Sequence, residues 1–215
     1  MRKASPDSPV RLQRRTVAAA LVGVPALWLG ARAQTPPRRR MLTPAQTEGP
    51  FYPVEIPKDS DYDLLRNGNR PPYGGGHPAW VDGTVTDIAG RPVVGAQIEI
   101  WQCDDHGHYH HPRDGDRADA GFQGFGRVAV GADGRYRFHT IRPVPYSGRT
   151  AHIHVKVKLD RRELLTTQLY VAGDPGNARD GIWRSLDESA RAAVTMPFTA
   201  GPDGLQAHFP IVVGA

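Results

Sequence analysis

The sequence predicts an all-β fold: a β-sandwich with an irregular N-terminal arm and a short C-terminal helix. Three observations carry this expectation. From Trp80 onward, short β-rich runs alternate with turn signals at the spacing of a sandwich. Residues 41–79 hold many prolines and glycines, including Pro71-Pro72 and Gly74-Gly75-Gly76, which disfavours regular structure there. Only Ile182–Ala193 has a helical period, with Ile182, Leu186 and Ala190 recurring at i, i+4.

Taken in chain order, residues 1–33 read as a signal peptide. A basic stretch ends in Arg14-Arg15, an apolar run extends from Val17 to Leu29, and Ala31-Arg32-Ala33 forms a small-x-small cleavage site before Gln34. The run is too short for comfortable membrane spanning, so the expectation is export to the periplasm with no stable membrane insertion. The paired arginines suggest the twin-arginine route, with ordinary secretion as the alternative. The leader also explains the charge. It holds six basic residues and one acidic residue, which account for the whole formal net charge of +5. The remainder is neutral, which removes the electrostatic argument for a nucleic-acid partner.

Residues 34–79 are expected to form a linker and a wrapping arm, and residues 80–215 one β-sandwich domain. Candidate strands are Trp80–Asp87, Ala96–Gln102, Tyr136–Ile141, His152–Leu159, Leu164–Val171 and Gln206–Val213. They are punctuated by Ala89-Gly90-Arg91-Pro92, Ala132-Asp133-Gly134 and Asp174-Pro175-Gly176. The single cysteine, Cys103, lies in an apolar run and reads as a small buried hydrophobe; alone it permits no intramolecular disulfide.

His152-Ile153-His154 carries the chemistry. On a strand, alternation puts both imidazoles on one face, where two polar rings make poor core filling but good metal ligands. Tyr146 precedes the pair closely, and Tyr109 precedes it by about a strand and a turn. A phenol, with a free pKa of about 10, is deprotonated at neutral pH only by a strong Lewis acid, so phenolate with imidazole points to Fe(III). The tract Asp104-Asp105-His106-Gly107-His108-Tyr109-His110-His111 reads on its own as a solvated loop or an adventitious zinc or copper site. Two rival readings stay open at this stage. One is an exported β-sandwich metal-binding module without catalysis; the other is an Fe(II) oxygenase using the two histidines with Asp104 or Asp105.

Trp101-Gln102, Gly107-His108-Tyr109, Gly124-Phe125-Gly126-Arg127, Asp133-Gly134-Arg135-Tyr136-Arg137-Phe138, Arg142-Pro143-Val144-Pro145-Tyr146, Arg149-Thr150-Ala151-His152-Ile153-His154 and Thr167-Gln168-Leu169-Tyr170 follow one another in a familiar order. With Gln46-Thr47-Glu48-Gly49-Pro50-Phe51-Tyr52, they resemble the intradiol ring-cleavage dioxygenases, most of all the protocatechuate 3,4-dioxygenase-like branch. The resemblance covers roughly residues 43–175. It implies that Tyr109, Tyr146, His152 and His154 hold a non-haem Fe(III), and that Tyr146, Arg149 and Gln168 are catalytic. It further implies a small aromatic diol, protocatechuate or catechol, and O2 as partners, with a cis,cis-muconate-type diacid as product. It allows a homo-oligomer, since the family contains both homo- and hetero-oligomers. Val144, Thr150 and Ala120-Gly121-Phe122 depart from the usual pattern, and the run from Tyr146 to His152 is short, so the pocket wall does not carry over.

Overall fold

The computed structural model describes residues 40–215. The expected leader and most of the linker lie outside the described residues. Among the described residues, ten strands follow one another in two five-stranded sheets. In the first, β1 (Pro78–Asp87) is the central strand, with β4 (Arg135–Ile141) antiparallel along one edge. Its other edge is filled in turn by β9 (Gly204–His208) and β10 (Ile211–Val213), both parallel to it, and β8 (Thr199–Gly201) extends the sheet beyond β9. The second sheet runs β3 (Phe125–Ala129), β2 (Gln97–Trp101), β5 (His152–Leu159), β6 (Arg162–Val171) and β7 (Thr195–Met196).

The two inner faces share one core, to which Val81, Val85, Ile98, Ile100, Phe138, Ile153, Val155, Val157 and Phe209 contribute. Each such side chain stabilises the fold by about 1.5–3 kcal/mol relative to exposure. The residues between, on the outer face of β5, are also buried, because the arm lies over them. Residues 40–77 form no strand or helix and attach through scattered backbone bonds. Thr43 donates to Val212, Gln46 to Thr166 and Leu64 to His139, while His139 and Arg127 donate back to Tyr62 and Ser60. Beneath the arm, Lys156 is buried against Glu48 and lies 4.1 Å from the centre of the Tyr52 ring. Lys158 and Glu99 pair at 3.0 Å, and Tyr52 donates to Glu99.

Three expectations are corrected. The strand expected over Gln206–Val213 is two strands on one line of pairing, Ala79–Asp82 meeting Leu205–His208 and Val85–Asp87 meeting Ile211–Val213. The line breaks where Phe209 leans into β1: its N–H donates to Asp82 at 2.7 Å, and a Cβ on Gly83 would lie 2.0 Å from its carbonyl oxygen. The helix expected over Ile182–Ala193 is two helices, α1 (Gly181–Ser185) and α2 (Glu188–Val194). Leu186 is extended, and the Asp187 side chain accepts from Ala190 N–H at 2.7 Å, so a new cap wins over continuation. Finally, β1 starts at Pro78, inside the expected arm, while β3, β7 and β8 answer to no expected strand. No helix among the described residues is long and apolar enough to cross a membrane.

The Gly83 contact makes a stability prediction. Gly83→Ala must push two backbones apart, and is expected to cost about 3 kcal/mol. An unchanged midpoint in thermal unfolding would show that the strands separate freely there.

Candidate metal centre

Alternation along β5 turns His152 and His154 to the face away from the core. Register sets Tyr170 opposite His152 on β6, and sets Gln168 and Trp101 on either side of His154. The imidazoles meet Nε2 to Nε2 at 3.2 Å. His152 Nδ1 lies 2.7 Å from the carbonyl oxygen of Thr150, which can only accept, so the ring carries its proton on Nδ1 and leaves a lone pair on Nε2. His154 is stacked on Trp101 at 4.8 Å. Burial, then the charge of Arg149, lowers the His152 pKa to about 4. Burial, then His152 itself, holds His154 well below the usual imidazole range. Both rings are neutral at neutral pH and able to donate electron pairs.

Tyr109 comes from the loop after β2, which two carboxylates build. Asp104 accepts the N–H groups of His106, His108 and Asp119 at 3.0, 2.9 and 2.8 Å, and Asp114 accepts that of Tyr109 at 2.8 Å. The Tyr109 hydroxyl ends buried with no well-formed hydrogen bond, although the Tyr146 phenol is close enough for each to perturb the other's acidity. Such an orphan is costly unless something outside the chain meets it. Tyr146 sits at the head of a tight turn, with Ser147 and Gly148 at φ 41° and 78° and Arg149 N–H returning to its carbonyl at 2.7 Å. Its Oη is 3.4 Å from His152 Nε2. Burial raises both phenols above their ordinary range, so without a cation both stay protonated.

The arm closes the back of this cluster. Phe51 stacks on Tyr109 at 4.6 Å and meets Tyr146 edge-on at 5.8 Å. Gly49, at φ +75°, lets the chain pass so close that a Cβ there would lie 3.3 Å from His154 Cε1. Trp101, Cys103 and Phe125 complete an apolar wall. Cys103 is part of that packing, its thiol pushed up to about 12 by burial and then by Asp104.

Arg149 stands at the open side. Its Nη2 donates to Gln168 Oε1 at 2.7 Å, and its Nε donates at 2.7 Å to Asp180, which sequence reasoning missed. Gln168 is fixed in turn by Tyr170 Oη at 2.9 Å and by its own Nε2 donating to Thr47 O at 3.0 Å. A cleft of about 590 Å³ opens beside Tyr146 and Arg149, and Ser147, Asp174, Pro175 and Arg179 line it. A roomier cleft of about 770 Å³, lined by Asp82, Arg135, Tyr136, Arg137 and His208 among others, shares none of these residues, and its phenol and imidazole are engaged elsewhere, Tyr136 donating to Phe209 O at 2.6 Å and His208 Nδ1 lying 2.7 Å from Asp82 Oδ1.

The neighbouring histidines do not join. His110 contacts the Phe122 carbonyl, His111 caps a turn through Nδ1, and His106 is exposed beside Asp105. Asp104, Asp105 and His106 lie close enough together to suggest a second cation site. Asp104 is spent on backbone N–H groups, however, and Asp105 on Tyr73 and Gly76, which also removes them as carboxylate partners of the histidine pair.

Two neutral imidazoles whose Nε2 atoms meet, an orphaned phenol and a second phenol at the mouth therefore fit a hard, strongly Lewis-acidic cation. Neutral buried rings and protonated phenols are what such a site offers before the cation takes the phenolic protons.

Comparison with known proteins agrees. The family model described as Dioxygenase, Dioxygenase_C, matches residues 47–215. The chain is 34% identical over 176 residues to a hydroxyquinol 1,2-dioxygenase of Rhodococcus opacus, covering 73% of this chain and 56% of that protein. It is 36% identical over 160 residues to the protocatechuate 3,4-dioxygenase beta chain of Burkholderia cepacia, covering 70% and 68%. Among solved structures, the dioxygenase domain of a dioxygenase and carbohydrate-binding fusion from Streptomyces sp. SirexAA-E superposes with a TM-score of 0.64 at 34% identity, over 81% of this chain and 99% of that one. The chain thus spans a little over half the length of the hydroxyquinol dioxygenases it matches.

Proposed function

Since the chain belongs to the intradiol ring-cleavage dioxygenase family, we propose that it cleaves a catechol-type aromatic, protocatechuate or catechol, between its two hydroxyl-bearing carbons. Both atoms of O2 enter the product, a cis,cis-muconate-type diacid. The supporting observation is the convergence of the Tyr109, Tyr146, His152 and His154 donor atoms beside Arg149.

In this reading those four side chains hold Fe(III), which would accept charge from a bound catecholate and so lend its ring the radical character that reaction with O2 needs. Everything else is done by the chain. His152 is held in the donor tautomer by the Thr150 carbonyl. Tyr146 lies at the mouth, where its Oη, once a cation has displaced its own proton, can take a proton from a catechol hydroxyl. Arg149 offers N–H groups to the negative charge that grows on the substrate oxygen as the ring gives up its aromaticity. Phe51 and Trp101 exclude water from the rear.

Export is part of the same proposal. The features that support it are Arg14-Arg15, the apolar run Val17–Leu29 and Ala31-Arg32-Ala33, which would put the reaction in the periplasm.

The test is O2 uptake by iron-loaded protein against catechol, protocatechuate and hydroxyquinol, with product absorbance separating cleavage between the hydroxyls from cleavage beside them. Uptake with a muconate-type spectrum is expected. No uptake with any diol, at full iron loading, would sink the reading.

A further inference from the structure

Arg149 is the group on which charge stabilisation rests, yet arginine is long and its guanidinium has many rotamers; something must aim it. We propose that Asp180 is the positioning residue that does so, an inference that rests on the dioxygenase reading above.

Asp180 lies just beyond the 3₁₀ turn Asn177–Arg179, and its side chain is fully buried. Oδ2 accepts Arg149 Nε at 2.7 Å and Thr150 N–H at 3.0 Å. Oδ1 accepts the N–H groups of Ile182 and Trp183 at 3.0 and 2.9 Å. Both oxygens are therefore fixed by backbone, and the carboxylate cannot follow the arginine if it moves. Burial alone would raise the Asp180 pKa, but the Arg149 bond and these N–H groups outweigh burial and keep it ionised.

The division of labour on the guanidinium is informative. Nε is taken by Asp180, and Nη2 by Gln168 Oε1 at 2.7 Å. The Gln168 amide is itself locked with oxygen toward Arg149, because its nitrogen donates to Thr47 O. Among the described residues Nη1 has no hydrogen-bond partner, and Arg149 lines the cleft beside Tyr146. Asp180 thus holds the inner edge of the fork and leaves Nη1 as the donor for substrate. It also ties the orientation of Arg149 to that of Thr150, whose carbonyl sets the His152 tautomer. One carboxylate aligns the charge-stabilising group with the donor set.

Asp180 also caps α1, so the test must separate capping from aiming. Serine caps as well as aspartate but is too short to reach Arg149 Nε. In the full iron-loaded chain, Asp180→Ser is expected to lower kcat about 30-fold, with the anaerobic catechol dissociation constant, read from the visible band, changing less than about 3-fold. Asp180→Asn, which keeps the length and loses the charge, should fall between serine and wild type. In an Arg149→Ala background Asp180→Ser should cost nothing more. A second readout needs no turnover: with diamagnetic gallium(III) supplied in place of iron, the Arg149 Nε–H signal should exchange with solvent at least about 10-fold faster in Asp180→Ser than in wild type. A kcat within about 3-fold of wild type, an additive loss on Arg149→Ala, or unchanged Nε–H exchange would each overturn the proposal. Wild-type protein that consumes no O2 would instead defeat the dioxygenase reading, and the exchange measurement would still decide whether Asp180 aims Arg149.

Discussion

Arg149→Ala is expected to bind metal as the wild type does and to lower turnover by about 10²–10³-fold, the loss that follows removal of one donor to a developing oxyanion. Retention of metal follows from the contacts: the Arg149 guanidinium bonds to Asp180, Gln168 and Tyr170, and to none of the four donor side chains. Loss of rate follows from position, since Arg149 lines the cleft beside Tyr146 and is held there by a buried carboxylate. The fold should weaken by about 2 kcal/mol, less than for most broken buried pairs, because Asp180 keeps three backbone N–H donors. Arg149→Lys separates charge from shape. Lysine restores the charge but cannot bond Asp180 and Gln168 while leaving a planar donor for substrate, so it should recover only part of the rate. Metal analysis, thermal unfolding and O2 uptake on the three proteins check each part. A rate for Arg149→Ala within a few-fold of wild type removes the charge-stabilising role.

Much of this site is legible in the sequence, and the reason differs from residue to residue. His152-Ile153-His154 is legible from alternation, because a strand offers every second side chain to one face whatever its neighbours are. Tyr109, Tyr146, Arg149 and Gln168 are not legible that way; they sit in loops or on another strand, and only ordered motifs connect them. Asp180 escapes even those, and Phe51, although it lies inside the arm motif Gln46–Tyr52, is given no place by it. Asp180 is one of many aspartates and earns its place through a cap and a contact with Arg149, 31 positions earlier. Phe51 lies in an arm with no period, which no propensity places over Tyr109. The fold divides similarly. Long runs such as β5 and β6 are clear, while β7 and β8 are too short to show a period, and β3 carries glycine and arginine amid its apolar residues. The helix is misjudged because i, i+4 spacing of Ile182, Leu186 and Ala190 continues through Asp187, where a side-chain oxygen outcompetes the helical backbone bond.

Tyr146→Phe separates the two phenols, and with them the colour from the rate. Tyr109 is enclosed, stacked under Phe51 and without a good hydrogen bond, whereas Tyr146 stands at the cleft on a turn strained enough to need Ser147 and Gly148 at positive φ. Phenylalanine keeps the ring contacts at 4.9 Å to Tyr109 and 5.8 Å to Phe51, so the fold and the other three donors should survive. Ferric iron bound by tyrosinate is coloured through oxygen-to-metal charge transfer, and wild-type protein is therefore expected to be red-brown. Tyr146→Phe should keep most of its iron and a weaker, shifted band from Tyr109 alone. Its rate should fall by about 10²-fold, the usual worth of a positioned proton acceptor. Tyr109→Phe should instead lower iron content itself, because no other group replaces a donor in a closed wall. A colourless wild type with full iron would contradict the whole donor set. A Tyr146→Phe protein that keeps its rate but changes colour would leave the donor set standing and move the proton acceptor elsewhere, since a phenol at the mouth can colour the metal without taking the substrate's proton.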